Sequence, residues 1–340
     1  MPDDTTADSR ESVRVRMYRH GLGDCFLLRF PRPDGKPFHL VIDSGVIKGT
    51  QDPTVRMREV AEDIERETGG TIDALVVTHE HWDHVSGFTE AREVWERMKI
   101  SEIWLAWTED PNHALARKLR KDREARKTNI KTRIAALTGR SSFQLDGARR
   151  DQIDALLGFM GFGLGAAGAN GGGTKEALDF ITGQAQKPPV FLTPGDSFVP
   201  QQIPSVRIYV LGPPDDADQK LIKKSDPSKA RPEVYSDPAQ AFAFSGLGQS
   251  DDSDDDLPFG PDEGDDVADG RGADAYLKRH FSQLFKNGAN PGWRRLDFEG
   301  IKDLERLALA LDGDTNNTSL ALAIELKGGR VLLFPADAQG

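Results

Sequence analysis

The sequence predicts an α/β fold in which helices cover the outer faces of β-sheets. Three observations carry this expectation. Apolar runs rich in β-branched residues alternate with stretches of helical periodicity along the first third of the chain. Hydrophobic residues at 37 %, with 34 glycines among 340 residues, bring the apolar fraction close to that of ordinary globular proteins and suffice for a substantial core. The third is a knot of three of the seven histidines, His79-Glu-His-Trp-Asp-His84, directly after an apolar run. Loops at strand ends are where rigid scaffolds carry function. The length suits one large domain or two small ones, and a single domain over 1–340 is expected.

In chain order, Val13 to Asp43 reads as three strands and Thr54 to Glu67 as a helix. Ala74 to Thr78 is short, apolar and β-branched, a buried strand. A helix near Glu90 to Met98 and a strand at Glu102 to Trp107 follow. Helical character then dominates from Pro111 to about Leu137, with further helices near Asp151 and Thr174. These match no core motif and are read as a helical insertion at 111–187. Ala155 to Thr174 is uncharged over a length that could suggest a membrane span, but eight of its residues are glycine. It reads as a short helix running into a pliable loop, and its Gly163-x-Gly165-x-x-Gly168 lacks the strand that a dinucleotide fingerprint requires. Ala273 to Lys286 and Ile301 to Leu311 have helical periodicity, joined through Trp293-Arg-Arg-Leu-Asp297.

Charge is distributed in blocks. Asp251 to Gly270 holds ten acids and no Lys or Arg, and the region 247–272 reads as an acidic flexible loop without the ligand spacing of a calcium-binding loop. Arg117 to Arg133 holds nine Lys or Arg against Asp122 and Glu124. That run reads either as a solvated helix face or as a track for a nucleic-acid backbone. The net charge of -11 comes mainly from the acidic loop, so it does not exclude an anionic substrate. Met1 to Ser12 is polar and has no apolar signal core. A single cysteine, Cys25, excludes an internal disulfide. Cytoplasmic residence and no membrane association are expected.

Imidazole and carboxylate are the ligands that zinc and similar divalent ions prefer. On an extended segment His79 and His81 project the same way and can share one ion, while Asp83 and His84, further on, can reach a second. Two ions a few ångströms apart suit hydrolysis by activated water. The alternative is a histidine-rich surface turn.

His79-x-His81-x-Asp83-His84 after an apolar strand resembles the signature of the metallo-β-lactamase fold superfamily. Gly21-Leu-Gly-Asp-Cys-Phe-Leu-Leu-Arg-Phe30 and His39-Leu-Val-Ile-Asp-Ser-Gly45 resemble the opening strands of the branch that includes the hydrolase domain of the competence protein ComEC. Asn316-Asn-Thr-Ser-Leu-Ala-Leu-Ala323 and Val331-Leu-Leu-Phe-Pro-Ala-Asp337 resemble that branch's late strand pair, which ends in a metal-bridging aspartate. The resemblance implies a four-layer αββα sandwich and a metal-dependent hydrolase. The first ion would be held by His79 and His81, the second by Asp83 and His84, with Asp337 bridging. Asp83 and Asp43 would be the carboxylates serving catalysis, Asp43 by hydrogen bonding to the active-site loops rather than by ligation. Asp43 also reads as an Asx-turn with Ser44-Gly45 closing a strand, and Asp337 as a solvated residue past a strand.

One or two Zn2+ ions are implied, with Mn2+ as a substitute, because histidines and carboxylates do not select strictly between them. Phosphodiester cleavage, with nucleic acid or another phosphodiester as substrate, is the leading chemistry. A degenerate binding module, or a hydrolase of another ester, thioester or lactam, is the alternative. Two departures stand out. Leu192-Thr-Pro-Gly-Asp196 and Val206 to Pro214 resemble the branch's middle strands, yet no histidine falls between them, and His113 reads as an exposed helix residue. The histidine-rich loop that follows the bridging aspartate in the branch is missing, so either the chain is C-terminally incomplete or one metal lacks a protein ligand.

Overall fold

The computed structural model describes residues 12–47, 50–139, 173–215, 222 and 313–338. The chain divides into two compact units, Met1–Lys127 with Leu145–Ala230 and Leu311–Gly340, and Thr128–Gln144 with Arg231–Ala310. Only the end of one helix represents the second unit among the described residues. The acidic stretch at 247–272, the glycine-rich segment and the helices expected near Asp151, at Ala273 to Lys286 and at Ile301 to Leu311 lie outside the described residues.

Two sheets form the frame. The first has six strands in sequence order: β1 (Arg14–Met17), β2 (Phe26–Pro31), β3 (Pro37–Ile42), β4 (Thr71–Val77), β5 (Lys99–Ala106) and β6 (Val190–Leu192). β1, β2 and β3 pair antiparallel, whereas β3, β4, β5 and β6 run parallel. The second sheet is antiparallel, in the order β10 (Val331–Phe334), β9 (Leu322–Leu326), β8 (Val206–Val210), β7 (Ser197–Phe198). The two middle segments expected as a strand pair thus divide between the sheets, β6 closing the first and β7 and β8 building the second.

The period of two in the strands sorts side chains into two cores. From β3, Phe38, Leu40 and Ile42 meet Ile208 and Val210 of β8 and Leu322 and Ile324 of β9 between the sheets. On the opposite face, Val41 of β3, Leu75 and Val77 of β4 and Ile103 and Leu105 of β5 pack against helices. Strands buried on both faces read as continuous apolar runs, as Ala74 to Val77 does. The covering helices are α1 (Pro53–Thr68), α2 (Trp82–Glu90), the single turn α3 (Arg92–Trp95) and α5 (Thr174–Gly183). They deliver Met57 and Ile64, Val85 and Phe88, Trp95, and Ala177 and Ile181 to that core. Helix, sheet and second sheet are therefore three successive layers among the described residues, a mixed α/β arrangement consistent with a metallo-β-lactamase-like sandwich.

α4 (Ala114–Gly139) is the long helix expected from Pro111. Helix α2 was not expected: the sequence suggested a loop at Asp83 and His84, and a helix only from Glu90. No described helix is long and apolar enough to cross a membrane.

Candidate metal centre

Parallel pairing puts the carboxyl ends of β3, β4 and β5 at one end of the first sheet. There β3 runs into Asp43-Ser44-Gly45, and β4 into Thr78 to His81, after which α2 begins. The backbone knits three loops together. Asp24 N–H donates to Asp83 O at 3.1 Å, Gly45 N–H to Asp24 O at 3.1 Å, and Ser44 N–H to His84 O at 2.9 Å. These approaches are so close that a Cβ on Gly45 would lie 2.3 Å from the Asp83 carbonyl carbon. Gly23, at φ +140°, would place one 2.4 Å from Gly45 O. Glycine is required at both positions, by contact at the first and by conformation as well at the second.

His79, His81, His84, Asp83 and Asp337 all come to this end of the sheet. His79 Nε2 and His81 Nδ1 face each other at 3.0 Å, and the His79 and His84 rings are 4.1 Å apart between centroids. His84 Nε2 lies 3.3 Å from Asp337 Oδ2 and 3.9 Å from Asp83 Oδ2. One ligand atom from each of His79, His84 and Asp337 falls within a common 4.8 Å. Asp83 and His84 belong to the first turn of α2, with His81 as the residue that precedes it. The helical turn, rather than an extended loop, aims them toward Asp337. Asp337 reaches the cluster from just beyond β10, so it is not simply a solvated residue past a strand.

Asp43 is fully buried and holds the cluster from behind. Its Oδ1 accepts from Thr78 N–H at 2.8 Å, and its Oδ2 accepts from the Thr78 hydroxyl at 2.7 Å and meets His84 Nδ1 at 2.9 Å. The carboxylate is thus committed across the sheet, which excludes its use in an Asx-turn with Ser44-Gly45. It fixes a proton on His84 Nδ1 and turns Nε2 toward Asp337 and Asp83, the arrangement by which carboxylates orient metal-binding imidazoles. Asp43 has φ 55°, an unusual backbone conformation that aspartate tolerates.

Two site residues escaped sequence reasoning. Asp24, in the loop before β2, has a carboxylate oxygen within 4.8 Å of ligand atoms of Asp43 and His84. Ser319, in the lead-in to β9, places its hydroxyl 3.2 Å from His79 Nδ1, opposite the nitrogen that faces His81. The segment expected to be strand from Asn316 is therefore strand only from Leu322 and serves the site before that. No local pattern marks Asp24, although it stands in the Gly21 to Phe30 segment that carries the family resemblance.

Electrostatics divide the histidines. Burial, with the charge of His84 next, holds His79 well below the usual imidazole range and His81 down at about 3. Both rings are therefore neutral and offer lone pairs. Burial alone would also lower His84, but Asp43 and Asp337 outweigh it and raise His84 well above the usual range. Asp337 is lowered, first by its hydrogen bond to His84. Asp83 and Asp24 are raised, chiefly by burial. Two neutral imidazole nitrogens facing each other, from buried His79 and half-buried His81, with carboxylates converging beside them, form a donor set that fits a divalent cation of the zinc type.

Glu80, between the two histidines in sequence, is held by α4. Its buried carboxylate receives Lys127 Nζ at 2.6 Å and lies 3.1 Å from Arg123 Nε. Arg123 also reaches Glu109 at 3.3 Å. Burial would raise Glu80, yet Arg123 and Lys127 hold it down at about 2. Arg120 donates to the carbonyls of Glu109 and Asp110, at 2.6 and 3.0 Å, and Arg126 pairs with Asp314. The cations of α4 read as either a solvated face or a nucleic-acid track thus include four with partners in the fold, of which Arg123 and Lys127 fasten the helix to the histidine loop and Arg120 and Arg126 hold it to the 109–110 turn and to Asp314.

The remaining described histidines are elsewhere. His20 packs both ring nitrogens against the carbonyls of Tyr18 and Gly45, at 3.0 and 2.6 Å. His39 is within β3. His113 is not freely exposed as expected: it is half-buried, stacks edge-on to Trp107, and its Nδ1 accepts from Ala116 N–H at 3.3 Å at the start of α4. No further histidine joins the first ion's position among the described residues.

A family model described as the Metallo-beta-lactamase superfamily matches residues 20–102. That span contains Asp24, Asp43 and the whole of His79 to His84, but not Asp337. No curated protein and no solved structure matches the chain.

Proposed function

We propose that the protein is a metal-dependent hydrolase of the metallo-β-lactamase type, acting on phosphodiester bonds. The observation that supports it best is the convergence of His79, His81 and His84 with Asp337, with His84 aimed by Asp43. In this reading His79 and His81 would hold one Zn2+, Asp83 and His84 would hold a second, and Asp337 would be a ligand available to both. The ions supply Lewis acidity and water activation. Mn2+ can replace Zn2+ in such a donor set.

The chain's own residues do the rest. Asp43 keeps the Nδ1 proton of His84 in place, so that only Nε2 is available to a ligand. Ser319 and Thr78 stand at 3.2 and 3.1 Å from His79 Nδ1 and do the same for that ring, leaving Nε2 toward His81. Asp24 adds a carboxylate beside Asp83 and can accept a proton, since burial has raised it. What supports phosphodiester chemistry is a donor set that would suit two ions and the resemblance of the sequence to the ComEC-like branch. A degenerate binding module keeps one point in its favour: among the described residues no histidine beyond His79, His81 and His84 joins the cluster.

Metal content after purification, followed by hydrolysis of bis-p-nitrophenyl phosphate with and without chelator, tests the proposal. At least one ion per chain, lost in His79→Ala and His81→Ala together with activity, is the expected result. Less than one ion per chain would reject the hydrolase reading, and activity confined to thioesters or lactams would reject the phosphodiesterase.

A further inference from the structure

At the other end of the strands, far from the histidines, a cleft of about 730 Å³ opens between the ends of the two sheets. Five cationic side chains line it: Arg29, Arg32 and Lys36 from β2 and the β2–β3 turn, and Lys327 and Arg330 from the β9–β10 turn. No acidic side chain does, in a chain whose net charge is -11. Like charges gathered from two separate hairpins repel one another in a folded protein unless something compensates them. Arg32 alone has a partner among the described residues. It pairs with Asp73 at 3.3 Å, and its guanidinium sits 5.9 Å from the centre of the Phe38 ring, so its direction is set in advance. Arg29, Lys36, Lys327 and Arg330 have no ion-pair partner among the described residues.

Both hairpins are closed by backbone bonds, which gives the cations a firm base. Arg32 N–H donates to Lys36 O at 3.1 Å, and Leu326 N–H to Arg330 O at 2.8 Å. The volume is that of a small-molecule site. Arginine forks match phosphate oxygens in pairs, and several cations around one enclosed space call for a ligand with several negative charges.

We propose that this cleft is a binding site for a polyphosphate of nucleotide size. It is distinct from the metal centre. β3 enters at Pro37 beside the cleft and leaves at Ile42 beside Asp43, a six-residue strand of about 20 Å, too far for one small ligand to touch both. The proposal does not rest on the hydrolase reading.

Titration calorimetry of the full chain with inorganic triphosphate, adenosine triphosphate and a short oligothymidylate tests it. Triphosphate should bind, with affinity falling as salt is raised. The exposed pair Lys327→Gln with Arg330→Gln should weaken it about tenfold or more, as should Arg29→Gln, given the usual strength of charge-assisted contacts. His79→Ala should leave binding unchanged. Unchanged affinity in the Lys327/Arg330 variant would overturn the assignment, as would loss in His79→Ala, which would put the phosphates at the metal centre. Tighter binding of the oligonucleotide through the same residues would show a nucleic-acid track in place of a small-ligand site.

Discussion

Replacing Glu80 by glutamine tests how firmly α4 is fastened to the histidine loop. The side chain keeps its size but loses the charge that Arg123 and Lys127 enclose at 3.1 and 2.6 Å. Those cations hold the Glu80 carboxyl at about 2 against an ordinary 4.5. At 1.36 kcal/mol per pKa unit the carboxylate is favoured by roughly 3 kcal/mol, the range for breaking a buried pair. The sign follows from the lowered value: the stabilisation is complete above about 4.5 and fades as pH falls toward 2. Urea unfolding of wild type and Glu80→Gln across that window is the assay. The variant should be less stable by roughly 3 kcal/mol at neutral pH, and the gap should close toward pH 2, where wild type carries a neutral acid there too. A gap below about 1 kcal/mol, as for an exposed pair, or one that ignores pH, would refute the reasoning.

Other outcomes follow from the same geometry. Asp43→Asn tolerates the left-handed backbone, but with one acceptor oxygen it cannot serve Thr78 N–H on one side and the Thr78 hydroxyl with His84 on the other; metal affinity should drop about 10- to 100-fold by competition with a chromogenic chelator, and an unchanged affinity would deny Asp43 its orienting role. Because His84 is raised by Asp43 and Asp337, it is protonated at neutral pH without metal, and that pairing stabilises the metal-free protein below about 6.5 and is lost as pH rises through the raised value. Metal binding should therefore release about one proton per chain and tighten with pH, measured by calorimetry in buffers of different ionisation enthalpy; no proton release would contradict it. Gly45→Ala should cost about 1–3 kcal/mol of thermal or urea stability by overpacking against Asp83, and a neutral effect would mean that the loops part easily.

The sequence made the site legible where chemistry is concentrated in adjacent residues. His79 to His84 announce themselves because four candidate ligands, three histidines and an aspartate, stand together after a β-branched run. Asp43 and Asp337 were reachable through their motif contexts. Helix α2 was not, because its first turn is made of polar ligand residues and His81 before it offers no capping side chain. Its large buried apolar residues are only Trp82, Val85 and Phe88, too short a pattern to show helical periodicity. Asp24 is a single acid in a glycine-rich loop, and its place depends on backbone bonds to Asp83 and Gly45 that no local pattern reveals. The cations of α4 look alike in sequence. Which of them fasten the helix to the histidine loop depends on Glu80, 47 positions from Lys127. The two-sheet core was legible only through the family resemblance, and the split of β6 from β7 and β8 was not legible at all, since short strands carry no sign of which sheet they will join.

The metal loop serves two neighbours at once. His79 and His81 face each other at the candidate metal centre, while the Glu80 side chain between them in sequence is held by Arg123 and Lys127 of α4. The two neighbours impose opposite protonation demands. Burial keeps the imidazoles neutral, which a cation needs, while Arg123 and Lys127 keep the carboxyl ionised. A displacement of α4 would leave a buried charge at position 80 without its partners, a costly state. The loop would have to move to hydrate it, and moving Glu80 moves both neighbouring histidines. Metal affinity in Glu80→Gln should therefore fall even though no ligand is altered. A variant that loses stability but keeps its affinity for Zn2+ would show that the two neighbours act independently.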